Sequence, residues 1–264
     1  MAAVAVSLSH RINAERVVLF GWGRAILLQL AHPLIAAGVY EHSSFRATPW
    51  AAAARLHETV HAMLALTFGT DRERHDTIER ICTIHRRVHG RLSESVGPFP
   101  EGSPYSAEDP DLVLWVHLTL LESVPLVYSL FVEPLTEAER DTYCEEAAWV
   151  PLALGARDDE IPRTAEQLRA AIGRTYASGV IRVGSQAREL ATAVLAPRIA
   201  RLVPPLAAVN RLVTIGLLPE EVRNEYGLPW DARSQARFER AIPRLRTLRR
   251  YLPDVLAVWP HATR

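Results

Sequence analysis

The histidines of this chain are unevenly distributed, and some have the spacing of metal ligands on a helix. Eight of the ten histidines lie between His32 and His117. Within that region, His57-Glu58-Thr59-Val60-His61 matches the H-E-x-x-H pattern of zinc metalloproteases. Residues four apart share one helix face, so His57 and His61 would bind one zinc ion with Glu58 as the general base. No third ligand is evident, and the alternative is an amphipathic helix with histidines near a polar pocket.

Two further arrangements of histidine would also bind a metal. His85 and His89 repeat the four-residue spacing, which would allow a dinuclear site between two helices, but di-iron bundles need two Glu-x-x-His motifs and only Glu58 to His61 supplies one. A single histidine on an apolar helix can instead ligate haem iron, with arginines pairing to the propionates. The chain contains no lysine, so its thirty basic residues are all arginine and their number singles out no site.

The elements that must position these side chains are helical almost throughout. Prolines, glycines and N-cap residues divide the chain, and strand signals are absent. Because helices average about 11–12 residues, we expect an all-α fold: a single globular domain over residues 1–264 with about nine to eleven helices. The predicted helices are 16–31, 48–68, 71–90, 109–131, 136–149, 164–176, 186–195, 205–217 and 231–250, with a loop over 93–110.

Composition excludes several classes of protein. The net charge is zero, which argues against a nucleic-acid-binding protein, and two cysteines (Cys82 and Cys144) cannot form a disulfide framework. Residues Met1–His10 are too short for a signal peptide, so we expect a cytoplasmic location. Val17–Tyr40 and Leu112–Val132 approach membrane-spanning length, but each contains polar or charged residues that are costly in a bilayer. We predict buried helices and no integral span, and a peripheral membrane contact stays open.

An ordered series of short motifs runs along nearly the whole chain. They are Gly23–Pro33, Ala37-Gly38-Val39, His42-Ser43, Arg55-x-x-x-Thr59, Phe68-Gly69-Thr70, His85-x-x-Val88-x-Gly90, Tyr105-Ser106-Ala107-x-Asp109-Pro110, Trp115-Val116-His117-x-Thr119-Leu120, Leu218–Trp230 and Leu252–His261. In this order they resemble the latex-clearing-protein (rubber oxygenase) superfamily, which also includes the mycophenolic-acid-pathway oxygenase. The resemblance covers roughly residues 15–262.

This resemblance implies an all-helical fold around one b-type haem, with dioxygen chemistry that cleaves an isoprenoid double bond to carbonyl products. The proximal iron ligand of the family lies in the segment that matches His85, whose alternative is a solvent-facing histidine on an arginine-rich helix. Arg55 and Thr59 match pocket residues of the preceding helix, with Arg55 as a propionate partner or, alternatively, in a salt bridge between helices. His117 would support the cofactor from a second layer, or would be an ordinary core histidine.

The chain also departs from the pattern on the distal side of the haem. Rubber oxygenases have a lysine just before the matching threonine, and this chain has Glu58 before Thr59. Glu58 would meet a distal water or the substrate, and Glu41 is the nearest candidate for the family's upstream catalytic glutamate. We therefore expect a related scaffold with a different substrate.

Three functions follow as hypotheses. The first is a haem-b-dependent oxygenase that takes dioxygen and a small apolar, isoprenoid-like alkene. The second is a non-catalytic haem-binding or ligand-sensing protein of the same fold. The third is a zinc hydrolase that uses His57, Glu58 and His61. The substrate, the product and the oligomeric state are not encoded in any recognisable motif.

Overall fold

The computed structural model describes residues 7–42, 49–195 and 204–263, with the side chains of 49–57, 206 and 263 outside that description. The described residues form a mostly helical single domain with ten helices of seven residues or more, as expected, and one small two-stranded sheet. The elements are α1 Leu8–Asn13, α2 Leu19–Leu30, α3 Pro33–His42, α4 Pro49–Phe68, α5 Asp71–His85, β1 His89–Arg91, β2 Pro104–Ser106, α6 Pro110–Phe131, α7 Glu137–Ala147, α8 Trp149–Ala153, α9 Ala165–Ala177, α10 Ser185–Leu195, α11 Pro204–Gly216, α12 Glu220–Glu225, α13 Ala232–Tyr251 and α14 Asp254–Ala257.

Helices α2 and α6 form the centre of the fold, because small residues allow their backbones to come close. A Cβ atom added to Gly21 of α2 would lie 2.8 Å from the Ser123 carbonyl oxygen of α6. The indole of Trp115 donates a hydrogen bond to the Leu28 carbonyl across the same interface, at 3.2 Å. Around this pair, α1, α7, α9, α10 and α11 supply the rest of the main core.

One buried arginine links three elements of this centre. Arg24 of α2 is 3% exposed, and its Nη1 atom lies 2.7 Å from Glu122 and 2.6 Å from the Ser123 hydroxyl of α6. Its Nε donates to the Leu217 carbonyl, just after α11, at 2.8 Å. Two of the three guanidinium nitrogens, Nε and Nη1, are therefore bonded to α6 and to the residue after α11, and this motif residue holds helices together.

A sharp corner follows α2 at His32-Pro33, where the sequence predicted the helix to end. The helical stretch that ends at Leu30 and helix α3 are bent by 103° relative to each other. Proline disfavours a helical residue before it and is well suited to the first position of a new helix. The corner turns α3 toward the two-stranded sheet.

Within the described ranges, α6 is the single helix long and apolar enough to cross a membrane. The share of its most apolar window that is buried inside the protein is 67%. The stretch Arg16–Leu30 and α3 pass the same test only together, as a bent pair. Other helices cover both stretches, as the sequence predicted.

Most helix starts agree with the sequence because their signals are local. The Asp109 carboxylate caps α6, and Pro110 is its first residue. Thr136 and Glu139 form the expected capping box of α7. A similar box, formed by Thr70 and Glu73, begins α5.

The all-α expectation is wrong in one place, between α5 and α6. Helix α5 ends at His85, five residues before the predicted stop at Gly90. Strand β1 then pairs antiparallel with β2, and β2 lies inside the predicted loop. The register joins Gly90 to Tyr105. Three-residue strands show no alternation of polar and apolar residues that a sequence pattern could reveal. What holds them is burial of Tyr105 against α3 in a small satellite core, which tertiary packing alone provides.

Candidate functional site

The last residue of α5 is His85, the predicted iron ligand. The helix is amphipathic, with Thr77 and Ile78 as its buried residues. His85 is half-buried and lies seven residues after Ile78, so both are on the same helix face. The two following arginines, Arg86 and Arg87, are exposed. Of the three residues His85, Arg86 and Arg87, His85 is therefore the one that is partly buried, and it is not a fully solvent-facing histidine.

Glu41, the predicted distal base, forms a polar cluster with Tyr105 and His42. The Tyr105 hydroxyl donates a 2.5 Å hydrogen bond to Glu41 Oε2 and lies 3.3 Å from His42 Nε2. Burial and the neighbouring Glu41 carboxylate raise the pKa of Tyr105. Glu41 and His42 are themselves exposed at the end of α3, so the cluster joins a buried phenol to solvent.

This cluster brings the ends of α3 and α5 together. Val88, three residues after His85, lies against α3, where a Cβ added to Gly38 would be 3.2 Å from its Cγ1 atom. Gly90 leaves room for the phenol, because a Cβ there would be 2.5 Å from the Tyr105 hydroxyl. The two glycines of the motifs are therefore needed where α3, β1 and Tyr105 meet.

Helix α4 carries the other candidates of the distal side. Glu58 and Thr59 are exposed, while Val60 and Met63 turn toward the main core. The backbone of Arg55 belongs to this helix, but the side chains of Arg55 and His57 lie outside the described residues. The ring of His61 meets the ring of His261 edge-on, with centroids 6.2 Å apart.

His117 lies in the interior on α6 and differs from the other candidates. It is 8% exposed, and its Nε2 atom has no hydrogen-bond partner in the described part of the chain. Burial lowers the pKa of His117 to about 3, so the ring is neutral at pH 7. A buried nitrogen without a partner is costly, since such groups are nearly always satisfied in folded proteins.

A second buried imidazole, His32, was not predicted as a site residue. Its Nδ1 atom also lacks a partner among the described residues, and burial lowers its pKa to about 4. The ring lies 5.5 Å from that of Phe99, at the corner before α3. Tyr105 is the other residue that sequence reasoning missed. Both occur in the ordered motifs, which gave the only signal that would have found them.

The described residues form no group of three or more histidine, cysteine or acidic side chains arranged to hold a metal ion. This does not test the zinc pattern, because the side chain of His57 is outside the description. Two surface clefts lie away from all the candidate residues. One is lined by Phe131, Val132, Glu133, Arg246, Arg249 and Arg250, and the other by Tyr176, Ala177, Ile181, Arg182, Glu221, Val222, Asn224 and Glu225.

Comparison with known families shows what the whole chain is similar to. Residues 10–247 match the family model described as ER-bound oxygenase mpaB/B'/Rubber oxygenase, catalytic domain. The chain belongs to the MPAB/Lcp oxygenase family. The match covers nearly the whole sequence and confirms the resemblance read from the motifs. Comparison with curated proteins and with solved structures gave no match.

Membership in the MPAB/Lcp family makes an oxygenase the activity to consider first. It also directs attention to haem b, on which the rubber-cleaving members depend. The donor set of the described residues suits that group in two respects. His85 offers an imidazole at a half-buried helix end, and His117 offers a buried, neutral nitrogen whose hydrogen-bonding capacity is unused.

Proposed function

We propose that this protein is a haem-b-dependent oxygenase that acts on an apolar alkene, with isoprenoids as the leading substrate class. The observation that carries the proposal is the family match over residues 10–247. Dioxygen is the second substrate, and a cytoplasmic location is part of the same proposal. The absence of lysine argues for a distal side unlike that of rubber-cleaving relatives.

His85 would hold the haem through its imidazole, and Arg55, Thr59 and His117 would complete the residues that bind it. When bound, the haem supplies dioxygen activation, which no side chain provides alone. The position of His85 supports this role, since the residue ends α5 on the helix's buried face. His85 lies at the C-terminus of α5, where the negative end of the helix dipole favours a positive charge. The Nε2 atom of His117, which has no partner among the described residues, would gain a polar neighbour.

Glu41 is the best-supported base among the described residues. Tyr105 holds its Oε2 atom by a 2.5 Å hydrogen bond, which orients the carboxylate while leaving Oε1 to accept a proton. Glu58 of α4 is the alternative base, exposed and next to Thr59. The apolar side chains around Leu34, Leu92 and Phe99 would keep water from an alkene near this edge.

An ultraviolet–visible spectrum after haem-supplemented expression tests the cofactor. We expect a Soret band in the wild type and its loss or marked shift in His85→Ala. His89→Ala is the matched control, because His89 has the same chemistry four residues away but is exposed on β1. A colourless wild type that contains stoichiometric zinc, lost in the His57→Ala/His61→Ala double variant, would instead favour the zinc hydrolase over the haem protein.

Oxygen uptake in the presence of isoprenoid alkenes tests the activity separately. We expect consumption that depends on the alkene and falls in Glu41→Gln with the Soret band unchanged. Haem binding without any alkene-dependent oxygen uptake would indicate the non-catalytic haem-binding alternative.

A further inference from the structure

Four apolar side chains protrude at the C-terminal end of the chain. Leu248, Tyr251, Val255 and Leu256 are 55%, 80%, 75% and 57% exposed, which makes them the most exposed large apolar side chains of the described residues. We refer to them as the apolar tip. Large apolar groups clustered at a surface mark interaction sites, whereas single ones need no explanation.

The backbone explains why these side chains are grouped. Leu248 and Tyr251 are three residues apart near the end of α13, so they share one helix face. Pro253 is the N-cap of α14, and Ala257 of this helix is buried. An antiparallel bridge between Glu15 and Val258 fixes the following residue to the start of the domain. With Ala257 held inward, Val255 and Leu256 are left on the outside beside the end of α13.

A row of arginines runs along α13 into the apolar tip. Arg233, Arg237, Arg240 and Arg244 follow one another at spacings of four, three and four residues, all exposed, and Leu248 comes four residues later. We refer to these as the arginine row. The opposite face of α13 carries Phe238 and packs against α11 and α6. Spacings of three and four place the row, Leu248 and Tyr251 on one continuous strip of α13, and Val255 and Leu256 follow on α14.

The arginine row is a local positive charge on a neutral protein. Helix α13 contains seven arginines and one acidic residue, Glu239, while the whole chain has no net charge. Three of the seven have partners inside the protein: Arg249 pairs with Glu15, Arg246 donates to the carbonyls of Ser129 and Leu130, and Arg240 of the row donates through Nε to the Ala236 carbonyl one turn earlier. The four arginines of the row form no ion pair with any acidic side chain in the described ranges. The neighbouring Asp231 carboxylate offsets part of the charge of Arg233, and the rest of the row's charge faces solvent.

We propose that this surface binds the face of an anionic membrane, with the apolar tip in the interfacial layer and the arginine row on the lipid headgroups. The tip protrudes, and a bilayer accepts protruding apolar groups without a complementary pocket. The row supplies the charge complementarity that attracts basic helices to acidic lipids. This contact does not involve α6, which is mostly buried, and it does not depend on a bound cofactor.

Vesicle flotation with the full chain tests the proposal. The probes are vesicles of phosphatidylcholine alone and vesicles with about one third phosphatidylserine, at about 0.1 M and about 0.5 M salt. We expect flotation with the phosphatidylserine vesicles at low salt, a reduction of at least about tenfold in apparent affinity at high salt, and weak binding to phosphatidylcholine.

Two combined variants separate the contributions of charge and apolar surface. The tip variant carries Leu248→Ser, Tyr251→Ser, Val255→Ser and Leu256→Ser, and the row variant carries Arg233→Gln, Arg237→Gln, Arg240→Gln and Arg244→Gln. Each should lose binding by about tenfold or more, while circular dichroism and the Tm stay near those of the wild type. Leu152→Ser and the Arg169→Gln/Arg174→Gln pair are the matched controls, exposed on α8 and α9, and should bind like the wild type.

Three results would overturn the proposal. The first is no flotation with acidic vesicles, and the second is equal binding by both variants and the wild type. The third is binding that needs the row alone and is matched by a soluble acidic polypeptide, because such a surface would bind acidic macromolecules and not a bilayer.

Discussion

The α2–α6 centre and the edge formed by α3, α5 and the small sheet hold their polar groups in opposite ways. In the centre, Arg24 is buried and bonded to three residues, Glu122, Ser123 and Leu217. At the edge, Glu41 is exposed and is held by a single buried phenol, Tyr105. Removing a partner in the centre leaves buried polar groups without a hydrogen bond. At the edge, water can replace the lost contact. The polar contacts of the centre therefore contribute more to stability. Those of the edge can be changed at a smaller cost in stability.

Among the tests of this contrast between centre and edge, Arg24→Ala should lower the free energy of unfolding the most. Breaking a buried ion pair costs about 3–5 kcal/mol, and we expect the lower end because Glu122 is 35% exposed. Urea unfolding monitored by circular dichroism measures the loss. Arg169→Ala is the control: its pair with Glu137 is mostly exposed, so removal should change the free energy of unfolding by roughly 0–1 kcal/mol. Equal losses in the two variants would contradict the contrast.

A second test uses pH and the buried imidazole of the centre. His117 has a folded pKa near 3 against an ordinary value of 6.5, so below about pH 6.5 the unfolded chain binds a proton that the folded chain does not. Above that pH the buried neutral ring therefore costs the folded protein nothing in proton binding. As the pH is lowered below it, the free energy of unfolding should fall. The loss should approach about 1.4 kcal/mol per pH unit for each such histidine.

Between about pH 6.5 and 5, the His117→Leu variant should lose less free energy of unfolding than the wild type. We expect the difference to be about 2 kcal/mol. His32, with a pKa near 4, should leave a residual slope in this variant. Substitution of the exposed His75 by leucine should leave the slope unchanged. An unaltered slope in His117→Leu would show that the ring is accessible to protons in the folded state.

The third test compares the same substitution at two helical glycines. In Gly21→Ala the new methyl group would be 2.8 Å from the Ser123 carbonyl oxygen, so helices α2 and α6 must separate and we expect a net loss of about 1 kcal/mol. A methyl group added at Gly173 of α9 would meet no atom within 4 Å, so Gly173→Ala should gain about 0.5–1 kcal/mol from helix propensity. Opposite shifts in Tm are expected, and shifts of the same sign would argue against close packing at Gly21.

The smallest effect on stability is expected at the edge. Tyr105→Phe removes the hydroxyl that donates to Glu41, and because Glu41 is exposed the cost should be about 1 kcal/mol or less. If the proposed oxygenase function is right, the same variant should lower alkene-dependent oxygen uptake and shift its pH profile, with the Soret band intact. A large loss of stability would place Tyr105 among the structural residues of the centre.

Much of the fold was predictable from local signals. Asp109-Pro110 and the Thr136–Glu139 box begin their helices as expected, because a cap is formed by residues within one turn of each other. The corner at His32-Pro33 was also evident, since proline restricts the residue before it. The early end of α5 was not, because the competing structure, pairing of Gly90 with Tyr105, depends on a strand fifteen residues later in the chain.

The candidate site was only partly predictable. Motif order pointed to His85, His117 and the oxygenase family, and Glu41 was the nearest candidate for the family's upstream glutamate. The motifs did not reveal which of their residues are structural. Arg24 belongs to the same motifs and proves to be a tie between helices. Tyr105 was part of a motif without a role until its hydroxyl was found on Glu41.

By itself the sequence determined the mostly helical class, most helix starts and the family, because caps, prolines and ordered motifs act over short distances along the chain. Only the tertiary structure decided that α5 stops at His85, that Glu41 and Tyr105 meet, and that His117 is buried with no partner for Nε2 among the described residues. It also decided that the four side chains of the apolar tip are exposed and not packed in a core. These facts depend on burial and on contacts between distant segments, and neither quantity is a property of any single stretch of sequence.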